Sequence, residues 1–364
     1  MGEISVFVLL PRNLDPSAWA LGYVSGGVSD ASPYGYHHAE DDHFRITFSS
    51  ASPCAGAQGL AERMVRRVLG FDIVHALRNV KSIRHAQAIW THTEVEALAV
   101  CALKAMGIIQ KRTRLVAQVI WFADAWSSWG FVRRAIYKKL MQTGADVVTC
   151  LSTVNATRLS SILPCNDVRA IHFGVNPSAF PGGSRGRTSV RRFRLLSAGG
   201  DRDRDWWVLA EAIKGLGDIE LVVASPTAHR AGIQTVQVDF QGMLHLYEWC
   251  DAVVVPLRPN AHASGITVVL EAADMGKPVI CTDVGGMRDY FDATEVLYVK
   301  PGDVKQLRTT LMAIAREPKT GTDFAARATL KASKFTSQAY ANKHKEITKE
   351  LLGTLEGLRN CHEE

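Results

Sequence analysis

Short apolar runs rich in β-branched residues recur along this chain, each followed by a longer stretch of helical pattern. This alternation constrains the fold more than any other feature, because it is the pattern of parallel sheets whose strands are joined through helices. In the first half it predicts strands at 4–10, 45–48, 73–75, 88–90, 115–120, 147–150 and 168–171. Helices are expected between them at 62–69, 93–106, 131–142 and 154–162. The segment PGGSRGRTSVRR (181–192) breaks the pattern with Gly, Ser and Arg, as a linker does. A second series follows, with strands at 194–197, 219–224, 252–255 and 279–282 and helices at 206–214, 244–249 and 267–274. The reading is α/β throughout: two Rossmann-like, doubly wound domains at 1–177 and 178–335, then a polar closing helix over 336–364.

At 364 residues, 47% hydrophobic and 21% charged, the chain has material for two cores of ordinary size. No run of eighteen apolar residues occurs, and MGEISVFVLLPRN puts an acidic residue before its short apolar stretch. Neither a spanning helix nor a signal peptide is read from it. The seven cysteines are scattered, with no CxxC pair, which favours reduced thiols in a cytoplasmic protein over a cysteine-rich zinc site.

The net charge of +6 is unevenly placed: residues 1–177 hold 18 Lys and Arg against 13 Asp and Glu, the remainder 24 against 23. The excess sits in short clusters, such as Arg63, Arg66 and Arg67, and Arg133, Arg134, Lys138 and Lys139. Two readings stand, a solvated helix face or attraction to anionic lipid or an anionic substrate. No nucleic-acid-binding module accompanies the charge, so nucleic acid is disfavoured. The first strand leads into PRNLDPSAWALG with no GxGxxG, which disfavours a dinucleotide oxidoreductase.

The stretch HASGITVVLEAADMGKPVICTDVGG (262–286) carries most of the functional information. Ser264 and Gly265 stand directly before the expected helix, where small residues let an anion approach free backbone amides and the helix dipole. Glu271 lies about two turns in, roughly 7 to 9 Å along the axis at 1.5 Å per residue, the span between a diphosphate and its ribose. With Val268, Val269, Leu270 and Ala272 around it, the helix has little polar face for a merely solvated glutamate.

LEAADMGKPVICTDVGG resembles the LEAMACGKPVIATDVGG segment of family 4 glycosyltransferases, which have the GT-B fold of two Rossmann-like domains facing a cleft. FDIVHA (71–76), IHFGVNPSAF (171–180), SAGGDRDRDWWVLAEAI (197–213) and CDAVVVPL (250–257) resemble further family segments in the expected order. The resemblance implies a retaining transferase that takes its sugar from a nucleoside diphosphate, of UDP or GDP type, and needs no cofactor. It makes Glu271 the ribose-binding residue, places Arg204 at the diphosphate-binding lysine, and puts Arg202 or Gly200 near the family's arginine. The amides of Ser264, Gly265, Ile266 and Thr267 complete the expected donor site. A surface ladder in which DRDRD pairs with itself is the alternative reading of the arginines. Since no Asp-x-Asp pair sits at a strand end, apart from Asp201 and Asp203 inside the arginine loop, no metal is expected.

Two departures from the family stand out. Its first glutamate, eight residues before Glu271, is Ala263 here, with His262 and Ser264 as possible substitutes. Where many members carry a histidine after the 115–120 strand, this chain reads VIWFADAWSSWG, leaving Asp124 as a base toward an acceptor hydroxyl or as a turn residue. Trp121, Trp126 and Trp129 in the same loop suit sugar stacking or a membrane interface, with core packing claiming at least one. His92 is a candidate at the 88–90 strand end, beside a capping box of Thr93 and Glu96. The expected acceptor is a glycan or lipid-linked sugar, in polysaccharide or glycolipid assembly, with peripheral attachment to the inner membrane face. A nucleotide-sugar epimerase and a non-catalytic nucleotide-sugar-binding subunit are the alternatives.

Overall fold

The computed structural model describes residues 3–51, 56–182 and 191–360. They form two compact units: the described parts of Met1–Gly22, Asp30–Ile171 and Ser337–Glu364, and of Tyr23–Ser29 and His172–Thr336. Most of the expected linker, 183–190, lies outside the described residues.

The first unit is built on strands β1 (Ile4–Leu9), β2 (Phe44–Phe48), β3 (Ala88–Thr91), β4 (Arg114–Gln118), β5 (Val147–Cys150) and β6 (Asp167–Ala170). They pair in parallel in the order β2-β1-β3-β4-β5-β6, with Val6 opposite Ala88 and Ala117 opposite Val148. Every residue of β3 and β5 is buried, as expected for central strands covered on both faces. The long helix Ser337–Asn360 belongs to this unit: Trp90 donates its indole N–H to Thr348 (2.8 Å), and Tyr340 donates to Gln118.

The second unit holds β7 (Phe193–Ala198), β8 (Ile219–Ala224), β9 (Ala252–Val255), β10 (Val279–Thr282) and β11 (Leu297–Val299), all parallel, in the order β11-β10-β9-β7-β8. Alternate residues of β7 feed two cores. Leu195 packs with Trp206, Leu209 and Leu311 on one face, while Leu196 packs with Val269, Leu270 and Tyr247 on the other. Strand order reverses between β7 and β9, and the loops leaving that pair at their carboxyl ends flank the crevice where open α/β sheets bind ligands.

One expected strand is corrected. Residues 73–75 lie in a helix, Ile73–Arg78, because the Asp72 carboxylate accepts the His75 amide (3.2 Å) and caps a helical turn. The His75 ring turns inward to the Leu10 carbonyl (3.0 Å), so a buried side chain, and not a strand position, explains the apolar run. Beyond Thr282 the structure adds β11 and the helices Val304–Arg316 and Pro318–Ala332.

Candidate functional site

In the second unit the carboxyl ends of β7 and β9 bring together the residues singled out in the arginine loop and the HASGIT stretch. The loop after β7 is fixed by backbone: Arg204 bridges Leu257 in antiparallel fashion, Asp205 donates to the Pro256 carbonyl (2.9 Å), and Arg258 donates to that of Asp203 (2.8 Å). Asp205 then caps the helix Trp206–Ile213 through the Val208 amide. The side chain of Arg204 is thereby turned inward and is only 3% exposed.

Two glycines make room for it. A Cβ on Gly199 (φ +121°) would stand 2.5 Å from Arg204 Nη2, and one on Gly265 (φ +83°) 2.7 Å from Nη1. Gly265 is also the N-cap of the helix Ile266–Asp274 and supplies no side-chain cap, so the positive end of that helix lies beside the guanidinium. Arg204 Nε and Nη1 are buried without a hydrogen-bond partner among the described residues. Burial lowers its pKa, and the nearby Cys281 and Asp201 oppose that shift; a guanidinium nonetheless stays charged. A buried cation with two unmatched donors is costly on its own, by several kcal/mol, and an anion in the crevice would meet that demand.

Within DRDRD, Arg202 and Asp203 pair with each other, while Asp201 and Asp203 also turn to His262 and Ser264. Asp201 accepts from the Ser264 hydroxyl (2.9 Å) and the Asp203 amide (2.8 Å) and lies 3.3 Å from His262 Nε2. Asp203 stands 3.9 Å from His262 Nδ1. Arg202 is exposed, with Asp203 3.7 Å away. Gly200 passes so close to Pro226 that a Cβ would sit 3.0 Å from its ring. Ser264 and Ile266 are buried and Thr267 is exposed on the first helical turn. The Ile266 amide is already donated to the Ala263 carbonyl (3.1 Å) and the Ser264 amide to Asn260 Oδ1, so two of the four expected amides are engaged within the loop itself.

Glu271 lies further along the same helix and accepts the Tyr247 hydroxyl at Oε2 (2.7 Å). Burial pushes its carboxyl up to about 7, the Tyr247 hydrogen bond opposing this and Asp274 adding to it. Tyr247, wholly buried on the helix Phe240–Trp249, was not among the expected site residues. Asn260 was also missed. Its Oδ1 accepts the Ser264 amide (3.2 Å), and Gly285 approaches so closely that a Cβ there would lie 2.3 Å from the same atom. Gly285 of TDVGG thus seats the loop that carries His262 and Ser264. Ala263, where the family glutamate is missing, holds φ +55°, a left-handed conformation stored at the site.

The candidates of the first unit lie on its own strand ends. His92 is buried after β3, its ring stacked on Tyr34 (centroids 3.3 Å apart) and its Nδ1 3.1 Å from the Tyr36 hydroxyl. Burial, with His344 adding to it, holds its pKa well below the usual histidine range, so the ring is neutral. Thr93 caps the following helix by accepting the Val95 amide, and its hydroxyl donates a hydrogen bond to Glu96. Asp124, on the turn Phe122–Ala125 beyond β4, is paired with Arg158 (3.2 Å). Glu94, unremarked in the sequence, accepts the amides of Ile120 (3.0 Å) and Trp121 (3.2 Å) and shapes that same strand end. Trp126 stacks on Phe122 and Trp129 meets Tyr137 edge-on, so both are partly committed to packing.

The two sheets and their connections define a GT-B fold. Sucrose-phosphate synthase from Thermosynechococcus elongatus superimposes with a TM-score of 0.74 at 17% identity, over 96% of this chain and 100% of that one. HepE from Anabaena, in complex with UDP-glucose, gives 0.66 at 13% identity over 97% and 100%. An α,α-trehalose-phosphate synthase (UDP-forming) from Burkholderia vietnamiensis gives 0.65 at 13% over 95% and 99%. At these identities the likeness is one of fold. Residues 191–317 match the family model described as glycosyl transferases group 1, and the resemblance to GT-B glycosyltransferases drawn from the sequence is borne out. No curated protein matches the chain in sequence. Among the described residues no helix is long and apolar enough to cross a membrane.

Proposed function

We propose that this protein transfers a sugar from a nucleoside diphosphate, UDP or GDP, to a hydroxyl of a glycan or lipid-linked sugar, with retention and without a metal. The observation that carries the reading is the buried Arg204 guanidinium, with Nε and Nη1 unpartnered among the described residues, beside the uncapped start of the helix Ile266–Asp274. That pairing suits a diphosphate, whose charge grows as the glycosidic bond breaks. Glu271, one oxygen engaged by Tyr247, has its other oxygen for a ribose hydroxyl. In this reading the new C–O bond forms on the face from which the diphosphate departs, and a phosphate oxygen takes the acceptor proton. Arg204 and the helix start offset the leaving charge. The neighbour solved with UDP-glucose supports a nucleotide-sugar donor for this fold.

The test is to incubate the full chain with UDP- and GDP-sugars and read nucleotide release, thermal protection and the anomeric configuration of the product by NMR, with and without EDTA. Protection at 100 Kd amounts to about 2.7 kcal/mol. Absence of protection by every nucleotide would remove the donor-site assignment. An inverted product, or activity abolished by EDTA and restored by Mg2+ or Mn2+, would overturn retention or metal independence respectively.

A further inference from the structure

We propose that the helices Gly56–Leu69 and Phe131–Gly144 of the first unit form a docking face for an anionic lipid bilayer. An amphipathic helix of a folded protein ordinarily turns its apolar stripe to the core. The helix Gly56–Leu69 does the reverse. Leu60, Met64 and Val68 follow one another at intervals of four on one side, and all are exposed, Val68 at 72%. Gly59 is the one buried position of this helix among its described side chains.

The second helix repeats the arrangement. Phe131 (84% exposed), Val132 and Ile136 stand outward, while Tyr137 and Met141 hold the helix to the core. The two helices meet, since Arg133 donates to the Val68 carbonyl (3.1 Å) and Tyr137 to that of Leu69. The carboxyl end of the first helix, with Val68, therefore lies beside the second helix in the same unit, so that exposed apolar side chains of both stand near one another and not as isolated surface residues. Trp126 and Trp129 lie just ahead of Phe131, half-buried, with the Arg134 guanidinium 5.9 Å from the Trp126 ring. Amphipathic rings of this kind settle at the headgroup level of bilayers.

Charge selects the occupant. The two helices carry seven Lys and Arg against one carboxylate, a surplus of six that equals the formal net charge of the entire chain, +6. The one carboxylate, Glu62, is itself bound by Arg12 and Arg78. A surplus of like charge of this size is what the core of a protein–protein interface excludes, whereas apolar residues interleaved with Lys and Arg are what an interfacial helix presents to anionic headgroups. Each cation near such a surface favours attachment by about fivefold, and screening removes the gain.

The inference deepens the lipid-linked acceptor of the proposed function and rests on that reading for its purpose alone. Vesicle binding needs no donor, so the two fail separately. Full-length protein is sedimented with vesicles of phosphatidylcholine alone and of phosphatidylcholine with phosphatidylglycerol. Binding is expected on the anionic vesicles alone and reversed in about 1 M salt, where the screening length is about 3 Å. Two variants separate the contributions: Phe131→Ser with Val132→Ser, at exposed positions, and Lys138→Gln with Lys139→Gln. The charge pair should lower partitioning by about tenfold or more and the apolar pair by a similar factor, with thermal midpoints unchanged. No binding, equal binding to neutral vesicles, or undiminished binding by both variants overturns the proposal. So does a concentration-dependent dimer that Phe131→Ser dissolves, since the face would then belong to a second copy.

Discussion

Arg204 offers a test in which stability and activity move in opposite directions. Its guanidinium is buried, two of its nitrogens have no hydrogen-bond partner among the described residues, and the Asp201 carboxylate nearby is taken up by Ser264 and the Asp203 amide. Methionine preserves much of the volume between Gly199 and Gly265 while removing the charge. In the free protein this relieves a buried cation that nearby Asp201 offsets only in part, and replacing buried charge by a packed apolar side chain stabilises by about 1–4 kcal/mol. For a unit of this size that corresponds to roughly 2–4 °C per kcal/mol in Tm. With nucleotide the sign reverses. Losing charge-assisted hydrogen bonds to a diphosphate costs about 1.5–3 kcal/mol each. If the bonds tighten as the sugar departs, kcat should fall about 100- to 1,000-fold, with a smaller change in KM for the donor. Calorimetry of the free Arg204→Met protein and steady-state kinetics with the nucleotide sugar measure the two halves. A variant that melts lower than the wild type and still binds nucleotide normally would refute the argument, because Arg204 would then be a structural residue.

Gly265→Ala should lower the urea midpoint by the equivalent of about 1–2 kcal/mol and weaken nucleotide binding, because the new Cβ meets Arg204 Nη1 at 2.7 Å and φ is +83°. Burial raises the Glu271 carboxyl from its ordinary value near 4.5 to about 7, so the native state holds this proton more tightly than the unfolded chain. The stability this contributes is full below about 4.5 and is lost as pH rises through about 7, and Glu271→Gln should flatten that part of the denaturation profile. Ribose hydroxyls donate to the ionised form, so nucleotide affinity should climb through the same interval in the wild type and lose this step in Glu271→Gln, read by calorimetric titration. Tyr247→Phe removes the hydrogen bond that favours the carboxylate, and should move the affinity midpoint to higher pH; an unmoved midpoint would detach Tyr247 from Glu271.

How much of this was legible in the sequence follows from the range over which each feature is encoded. The strands 219–224, 252–255 and 279–282 coincide with β8, β9 and β10, since buried parallel strands are continuous apolar runs between turn residues. The run 73–75 is too short to show a period, and the Asp72 cap that decides for helix is a side-chain contact. Within the site, Ser264, Gly265, Arg204 and Glu271 stood out because each belongs to a local pattern at a strand-to-helix junction. Tyr247 and Asn260 belong to none. Tyr247 reaches Glu271 across 24 residues of chain, and Asn260 is revealed as a clamp only by the approach of Gly285.

Ala263 shows the same limit at a single residue. In the sequence it appears only as a missing carboxylate, and alanine carries no sign of backbone strain. In the fold its φ of +55° turns the chain so that His262 faces Asp201 while Ser264 donates to the same carboxylate. A residue with a Cβ held in the left-handed region costs roughly 1 kcal/mol or more, and it persists where surrounding contacts over-determine it. Here those contacts are Asn260 on the Ser264 amide and Gly285 against Asn260. The departure from the family pattern therefore leaves the loop closed around Asp201, with His262 and Ser264 as the polar groups at the position where the glutamate is absent.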